Sequence, residues 1–233
     1  MDTLMHAQSD ARLKAEVIVT CCALAQRGLT HGTSGNVSVR RNPETFFISP
    51  TGVPYEQLDD IPVMDFQGRW YGARRPSSEW RFHRDILKAR PDVNAIVHTH
   101  SKFAVALACT GQGIPAFHYM VAVAGGADIR CAPYATLGSQ ALSDGAVTAL
   151  VDRKACLLAN HGVIATGPDL PSALRLAGEV ENLAAQYCAA LQAGSPVLLS
   201  EGEMERVLQL FRTYGKQEST HDPDLVHAGP AFP

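Results

Sequence analysis

The sequence predicts an α/β fold: a single three-layer domain, with helices on both faces of a mixed β-sheet. Three observations point there. Helical and extended segments alternate irregularly along the 233 residues, and no long linker divides them. The chain is 46% hydrophobic, and a chain of this length buries roughly 70–75% of its extended surface, enough for a core without disulfide staples. The six cysteines are scattered and form no C-x-x-C pair, so they read as small buried apolar residues.

The elements follow in order. Leu13, Val17, Cys21 and Leu24 recur at helical spacing between Asp10 and Arg27, with Ser9 as the expected cap and Gly28 as the stop. Val37 and Val39 alternate with polar neighbours, Phe46-Phe47-Ile48 makes a second strand, and Ile61 to Asp65 a third; Pro50-Thr51-Gly52 turns the chain between them. Ser77 and Ser78 are placed to cap a helix from about Glu79 to Ala89, closed by Arg90-Pro91. Ala95 to His100 reads as a buried strand, followed by a helix with Val105, Ala108 and Cys109 on one side. Ala155 to His161 reads as another buried strand. A helix over Ser172–Gln192 and a shorter one opened by Ser200-x-x-Glu203, a capping-box pattern, complete the fold. The polar, Pro-rich stretch 216–233 lacks periodicity and is expected to be a mobile tail behind a domain spanning 1–215.

Composition excludes several functions. Lys and Arg number 20 against 23 Asp and Glu, a net charge of −3 with no basic block, so nucleic acid is not an expected partner. No run of about 18 apolar residues reads as a membrane span, and the start Met1-Asp2-Thr3 lacks the pattern of a signal peptide. A cytoplasmic protein is expected.

Two groups of residues carry chemistry. In His98-Thr99-His100 a strand would turn both imidazoles to one face, with Cα atoms roughly 6.6 Å apart, close enough to converge on one metal ion. By itself an H-x-H is more often a pair of ordinary histidines. His161, at the end of another strand, and Glu79, in a helix's first turn, strengthen the metal reading, because three histidines and a carboxylate form a zinc-type set. The second group comprises the small polar loops Gly32-Thr33-Ser34-Gly35-Asn36, Thr51-Gly52 and Ser77-Ser78. Such loops hold phosphate through neutral donors at helix starts, although each alone is an ordinary turn or cap. No P-loop and no G-x-G-x-x-G motif accompanies them.

Taken in order, Gly32-Thr33-Ser34-Gly35-Asn36-Val37-Ser38-Val39-Arg40, Pro50-Thr51-Gly52, Pro76-Ser77-Ser78-Glu79-Trp80-Arg81-Phe82-His83, His98-Thr99-His100 and Asn160-His161-Gly162 resemble the class II aldolase/adducin family. Within it, His118-Tyr119-Met120 with Gly125-Gly126, Cys131 to Thr136, and Phe211 to Gly215 look most like the fuculose-phosphate branch. The resemblance runs from about residue 12 to 215.

It implies a homotetramer with active sites at subunit interfaces, and a zinc-dependent, reversible cleavage of a ketose 1-phosphate to dihydroxyacetone phosphate and an aldehyde. The ketose is L-fuculose 1-phosphate or a related pentulose, 5-deoxy or 5-methylthio pentulose 1-phosphate. It implies one zinc per subunit on His98, His100 and His161, with Glu79 as fourth ligand and as acid/base. Asn36, Thr51, Gly52, Ser77 and Ser78 are implied to hold the phosphate, Tyr119 to serve the aldehyde oxygen, and Tyr214 to reach in from a neighbouring subunit. Where the branch carries an aromatic residue after Cys131–Thr136, this chain has Leu137. The alternatives are an isomerase or decarboxylase of a sugar phosphate on the same scaffold, or a non-catalytic adducin-like module.

Overall fold

The structure is a computed structural model that describes residues 2–212, with side chains from Ser9 onward. Eight strands form one sheet in the order β4-β3-β2-β1-β5-β8-β7-β6. They are β1 (Asn36–Arg40), β2 (Thr45–Ile48), β3 (Val63–Asp65), β4 (Trp70–Tyr71), β5 (Ala95–Thr99), β6 (Cys131–Ala132), β7 (Ala155–Leu158) and β8 (Gly162–Gly167). Every pairing is antiparallel except β6 with β7, so the sheet is mixed, as expected.

Six helices cover it: α1 (Asp2–Gln26), α2 (Trp80–Ala89), α3 (Lys102–Ala108), α4 (Gln140–Ala149), α5 (Leu170–Ala193) and α6 (Glu201–Leu210). Because side chains alternate across a strand, the sheet feeds two cores. Val37, Val39, Val97 and Val163 join Val17, Cys21 and Leu24 of α1, Leu107 of α3 and Val180 and Leu183 of α5. Phe46, Ile48, Ile96 and Ile164 join Phe82 and Ile86 of α2 and Leu142 and Ala146 of α4 on the other face. This is the three-layer α/β domain that the alternation of segments predicts. No described helix is long and apolar enough to cross a membrane.

Several local expectations need correction. α1 begins at Asp2, so Ser9 lies inside it and caps nothing; the residues before Ser9 continue the helix. Gly28 does end it, at φ +66°, where a residue without Cβ is unstrained. The buried face of α3 is Ala104, Leu107 and Ala108, whereas Cys109 closes the helix and is exposed. The strand expected over Ala155–His161 ends at Leu158, and Ala159-Asn160-His161 is a tight turn into β8. β8 went unread because it is buried on both faces and shows no alternation. α4 was missed too: it is rich in Ala and holds Gly145, and its start is set by Ser139, whose Oγ accepts from Leu142 N–H at 3.1 Å. Ser200 caps α6 through the Glu203 N–H at 3.2 Å, while the Glu203 carboxylate turns to Arg206, so the box is half formed. No two of the six cysteines are bonded; Cys21 and Cys156 are buried, the others less so.

Candidate active site

The site is built where β1 and β5 lie side by side beneath the start of α2. Asn36 of β1 pairs directly with His98 of β5, so both project from one face of the sheet, and Ser38, two residues on, shares it. α2 lies over that face. Glu79 stands at its N-cap and His83 one turn later, so their side chains descend together. The start of α2 is closed by main chain and serine: Trp80 N–H donates to Ser77 O at 3.2 Å and Glu79 N–H to Ser77 Oγ at 3.2 Å. The Glu79 side chain makes no cap, which leaves its carboxylate for the site. Arg40 holds the other end of α2, donating from Nη2 to the carbonyls of Leu87 at 2.6 Å and Val93 at 3.0 Å.

His98 closes the first side of the cluster. Its Nδ1 lies 2.8 Å from Val163 O of β8. A carbonyl only accepts, so Nδ1 carries a proton and Nε2 is the nitrogen turned to the cluster. His100 follows the strand, with Nε2 3.0 Å from His98 Nε2. His161 arrives from the β7–β8 turn, where Asn160 sits at φ +55°, a conformation Asn tolerates better than most residues. The three rings stand at 80–81° to one another with centroids 4.9–5.0 Å apart. Glu79 completes the set: Oε2 is 3.3 Å from His98 Nε2, and Oε1 is 3.0 Å from His161 Nε2. One ligand atom from each of the four residues lies within 4.8 Å of all the others.

Electrostatics keep the cluster ready for a cation. Burial pushes the Glu79 carboxyl up, but His98 and His161 beside it win and hold it well below the usual carboxylate range. Burial, with His98 and His161 nearby, lowers His100 to about 4, so its imidazole is neutral at pH 7. Three further observations test whether a metal fits. Glu79 Oε1 is buried and makes no hydrogen bond, although His161 Nε2 is close. His98 Nε2 faces the same place, 3.3 Å from Glu79 Oε2. A Cβ at Gly162 would lie 2.9 Å from the His100 ring and 3.0 Å from the His98 ring, so only glycine leaves the rings their places. Three imidazoles and one carboxylate are a donor set suited to a divalent ion. The residues fit.

Beside the cluster opens a cleft of about 190 Å³. Of the residues expected to hold phosphate, Asn36, Thr51, Ser77 and Ser78 line it, together with Glu79, His100, His161 and Leu137. Gly52 does not line it, but shapes the Thr51 turn at φ +69°. The turn is zipped to the segment before α2: Thr51 N–H donates to Arg75 O and Ser77 N–H to Ser49 O, both at 3.0 Å. Those two amides are therefore committed, and the hydroxyls of Thr51, Ser77 and Ser78 are among the donors the loops offer the cleft. The Asn36 amide is engaged as well, donating from Nδ2 to Glu79 Oε2 at 2.9 Å and accepting at Oδ1 from His83 at 2.6 Å. One Nδ2 hydrogen remains for a ligand.

Tyr119 is not brought to the cluster within one chain. It starts a 3-10 segment, Tyr119–Ala124, is 45% exposed, stacks on His118 and meets Phe211 edge-on. Tyr214 and the expected tail lie outside the described residues. His83 is a site residue that the motif reading passed over. Its signal was present: it follows Glu79 by four residues, one helical turn.

Residues 15–188 match the Class II Aldolase and Adducin N-terminal domain. The chain belongs to the class II aldolase and adducin family. Among class II aldolases it is 54% identical over 198 residues to a 5-methylthioribulose-1-phosphate/5-deoxyribulose-1-phosphate aldolase of Rhodospirillum rubrum, covering 84% of this chain and 89% of that one. It is 46% identical over 207 residues to the L-fuculose phosphate aldolase of Escherichia coli, covering 88% and 96%. A solved L-fuculose 1-phosphate aldolase superposes with a TM-score of 0.83 at 41% identity, over 86% of this chain and 96% of the other.

Proposed function

We propose that the chain is a cytoplasmic, zinc-dependent class II aldolase that cleaves a ketose 1-phosphate reversibly to dihydroxyacetone phosphate and an aldehyde. The carrying observation is one cleft lined by Glu79, His100 and His161, with His98 buried beside them to complete the set, and neutral donors around it. Six thiols without a disulfide suit a reducing compartment.

Breaking the C3–C4 bond leaves negative charge on carbon beside a carbonyl. A zinc ion held by the three histidines and Glu79 supplies positive charge next to the oxygens where that charge spreads. The chain's own residues do the rest. The hydroxyls of Thr51, Ser77 and Ser78 and the remaining Asn36 N–H hold the phosphate, with Gly52 shaping the loop. That grip, remote from the breaking bond, sets the reacting carbons against the histidine cluster. Glu79 Oε1, buried and ionised in the free chain, takes the proton from the carbon that becomes C3 in the condensation direction. In cleavage the proton lost by the C4 hydroxyl to Tyr119 is passed through solvent to Glu79, which delivers it to C3. A proton donor and acceptor for the aldehyde oxygen comes from Tyr119 of a partner subunit. Its exposure, away from its own cleft, suits that role. Tyr214 is assigned beside it from a neighbouring copy, in a homotetramer. The apolar Leu137 on the cleft wall favours 5-deoxy or 5-methylthio pentulose 1-phosphates alongside L-fuculose 1-phosphate.

The test is a coupled assay for dihydroxyacetone phosphate across a panel of ketose 1-phosphates and the matching free ketoses. Cleavage of at least one phosphate ester, with little turnover of its free sugar, is expected. Equal turnover of both would overturn the phosphate site, and no cleavage of any would overturn the aldolase reading.

A further inference from the structure

A line of buried polar side chains runs from the sheet to Glu79. Ser38 Oγ lies 2.7 Å from His83 Nδ1, His83 Nε2 lies 2.6 Å from Asn36 Oδ1, and Asn36 Nδ2 lies 2.9 Å from Glu79 Oε2. Ser38 and His83 are fully buried, and Asn36 nearly so. None of the three histidines of the cluster is His83, and neither it nor Ser38 lines the cleft.

The chemistry of each link admits one direction. Glu79 is a carboxylate and only accepts, so Asn36 must turn its NH2 toward it. That leaves Asn36 Oδ1, also an acceptor, facing His83, so His83 Nε2 carries the proton. His83 is neutral, since burial and the nearby His98 push it down to about 3 against the opposing pull of Glu79. Its Nδ1 is therefore a bare lone pair, which the Ser38 hydroxyl meets as donor. Every proton in the line points toward Glu79. The ring itself is fixed by stacking on Phe82, with centroids 4.6 Å apart.

We propose that His83 and Ser38 are positioning residues that act through Asn36. They lock its amide so that one Nδ2 hydrogen holds Glu79 Oε2 beside His98 while the other faces the cleft. Glu79 Oε1 is thereby left pointing to His161 and the proton-transfer position. A reversed Asn36 would set its oxygen against the carboxylate and swing Glu79 out of the cluster. The inference rests on the metal-dependent aldolase reading of this site.

The experiment loads the full-length wild type, His83→Leu, His83→Gln and Ser38→Ala with Co²⁺. It records affinity and the visible d–d bands, and measures kcat and KM with the ketose 1-phosphate panel. His83→Leu fills the space but cannot donate, and should weaken Co²⁺ binding roughly 10–100-fold, the usual loss when a ligand's supporting partner is removed. Its d–d bands should shift as the carboxylate leaves, with kcat falling as well. His83→Gln keeps an N–H donor for Asn36 and should recover most of the loss, and Ser38→Ala should cost a smaller factor. A folded His83→Leu with wild-type affinity and bands overturns the inference, as does a His83→Gln no better than His83→Leu. If His83→Leu does not fold, Ser38→Ala decides: weakened binding supports the line and wild-type binding overturns it. Wild type that binds Co²⁺ but cleaves no ketose phosphate defeats the aldolase reading alone, and the spectra still judge the line. Wild type that binds no Co²⁺ defeats both.

Discussion

Glu79 occupies a helix N-cap, where a carboxylate would ordinarily take the helix's own amides. Here Ser77 does that, and the carboxylate turns to His98 and His161. Glu79→Gln keeps its shape while losing charge and basicity. It should lower kcat by about 10²–10⁴-fold, as loss of a general base does, and weaken the bound ion. Steady-state kinetics with a metal assay checks this, and near-wild-type turnover would reduce Glu79 to a helix-start residue. Leu137 is 63% exposed at the cleft, on a loop tied to α2 by Arg81 Nη1 donating to Gly138 O at 2.7 Å. Leu137→Phe should narrow the range of accepted aldehydes, with differences of about 1–3 kcal/mol between close analogues. Metal and phosphate affinity should hold steady. An unchanged preference across the ketose panel would show that residue 137 does not contact the aldehyde portion. At this scale the sequence was informative. The close spacing of His98 and His100 at the end of a strand and the place of Glu79 at a helix start could be read locally, although their joining in one set could not.

At the scale of elements, the turn between β7 and β8 delivers the third histidine. The sequence reading placed His161 at a strand end, whereas a three-residue turn after Leu158 carries it. What makes the turn work is Gly162, where a Cβ would lie 2.4 Å from the Thr99 carbonyl. Backbone cannot yield as a flexible side chain can. Gly162→Ala should therefore push β8 from β5 at the cluster, weakening metal binding by at least tenfold and lowering Tm by several degrees, as a 1–3 kcal/mol overpacking penalty does. Metal titration and thermal melts read both, and a variant equal to wild type in each would show that the sheet adapts. β8 itself was illegible because a strand buried on both faces has no alternation. His83 could be placed one turn beyond Glu79 from the sequence, but what it meets could not be read, because its partners come from β1, far away in sequence.

At the scale of the molecule, two outcomes are expected. Buried His83 titrates at about 3 in the folded chain against about 6.5 unfolded, and His100 at about 4. Between about pH 6.5 and 4 the unfolded chain takes up protons that the folded chain does not, so stability falls as pH drops. His83 alone contributes a loss of roughly 1 kcal/mol per pH unit in the lower part of that window. The depressed Glu79 carboxyl adds a loss below its ordinary pKa. Melts of the metal-free protein at pH 7, 5.5 and 4.5 should show Tm descending, and a flat profile would contradict the buried neutral histidine. The second outcome concerns assembly. Removing residues 213–233 takes away Tyr214 while leaving the cluster and all six helices. The truncated chain should keep the proposed tetramer and its metal site, by light scattering and metal analysis, while losing most aldolase activity. Full activity in the truncated chain, or in a monomer, would refute the shared site.

The sequence by itself determined the three-layer α/β class and pointed to the residues of the candidate metal set and the polar loops of the cleft. All are written in short-range patterns: alternation, helical spacing, caps and small-residue turns. Tertiary structure alone decided how those pieces meet. It set Asn36 opposite His98, brought His83 over Asn36, turned His161 in from a hairpin and left Tyr119 out of the lining of its own cleft. The physical reason is that strand register and helix docking are fixed by packing between segments far apart in the chain, and no local pattern records which residues will stand face to face.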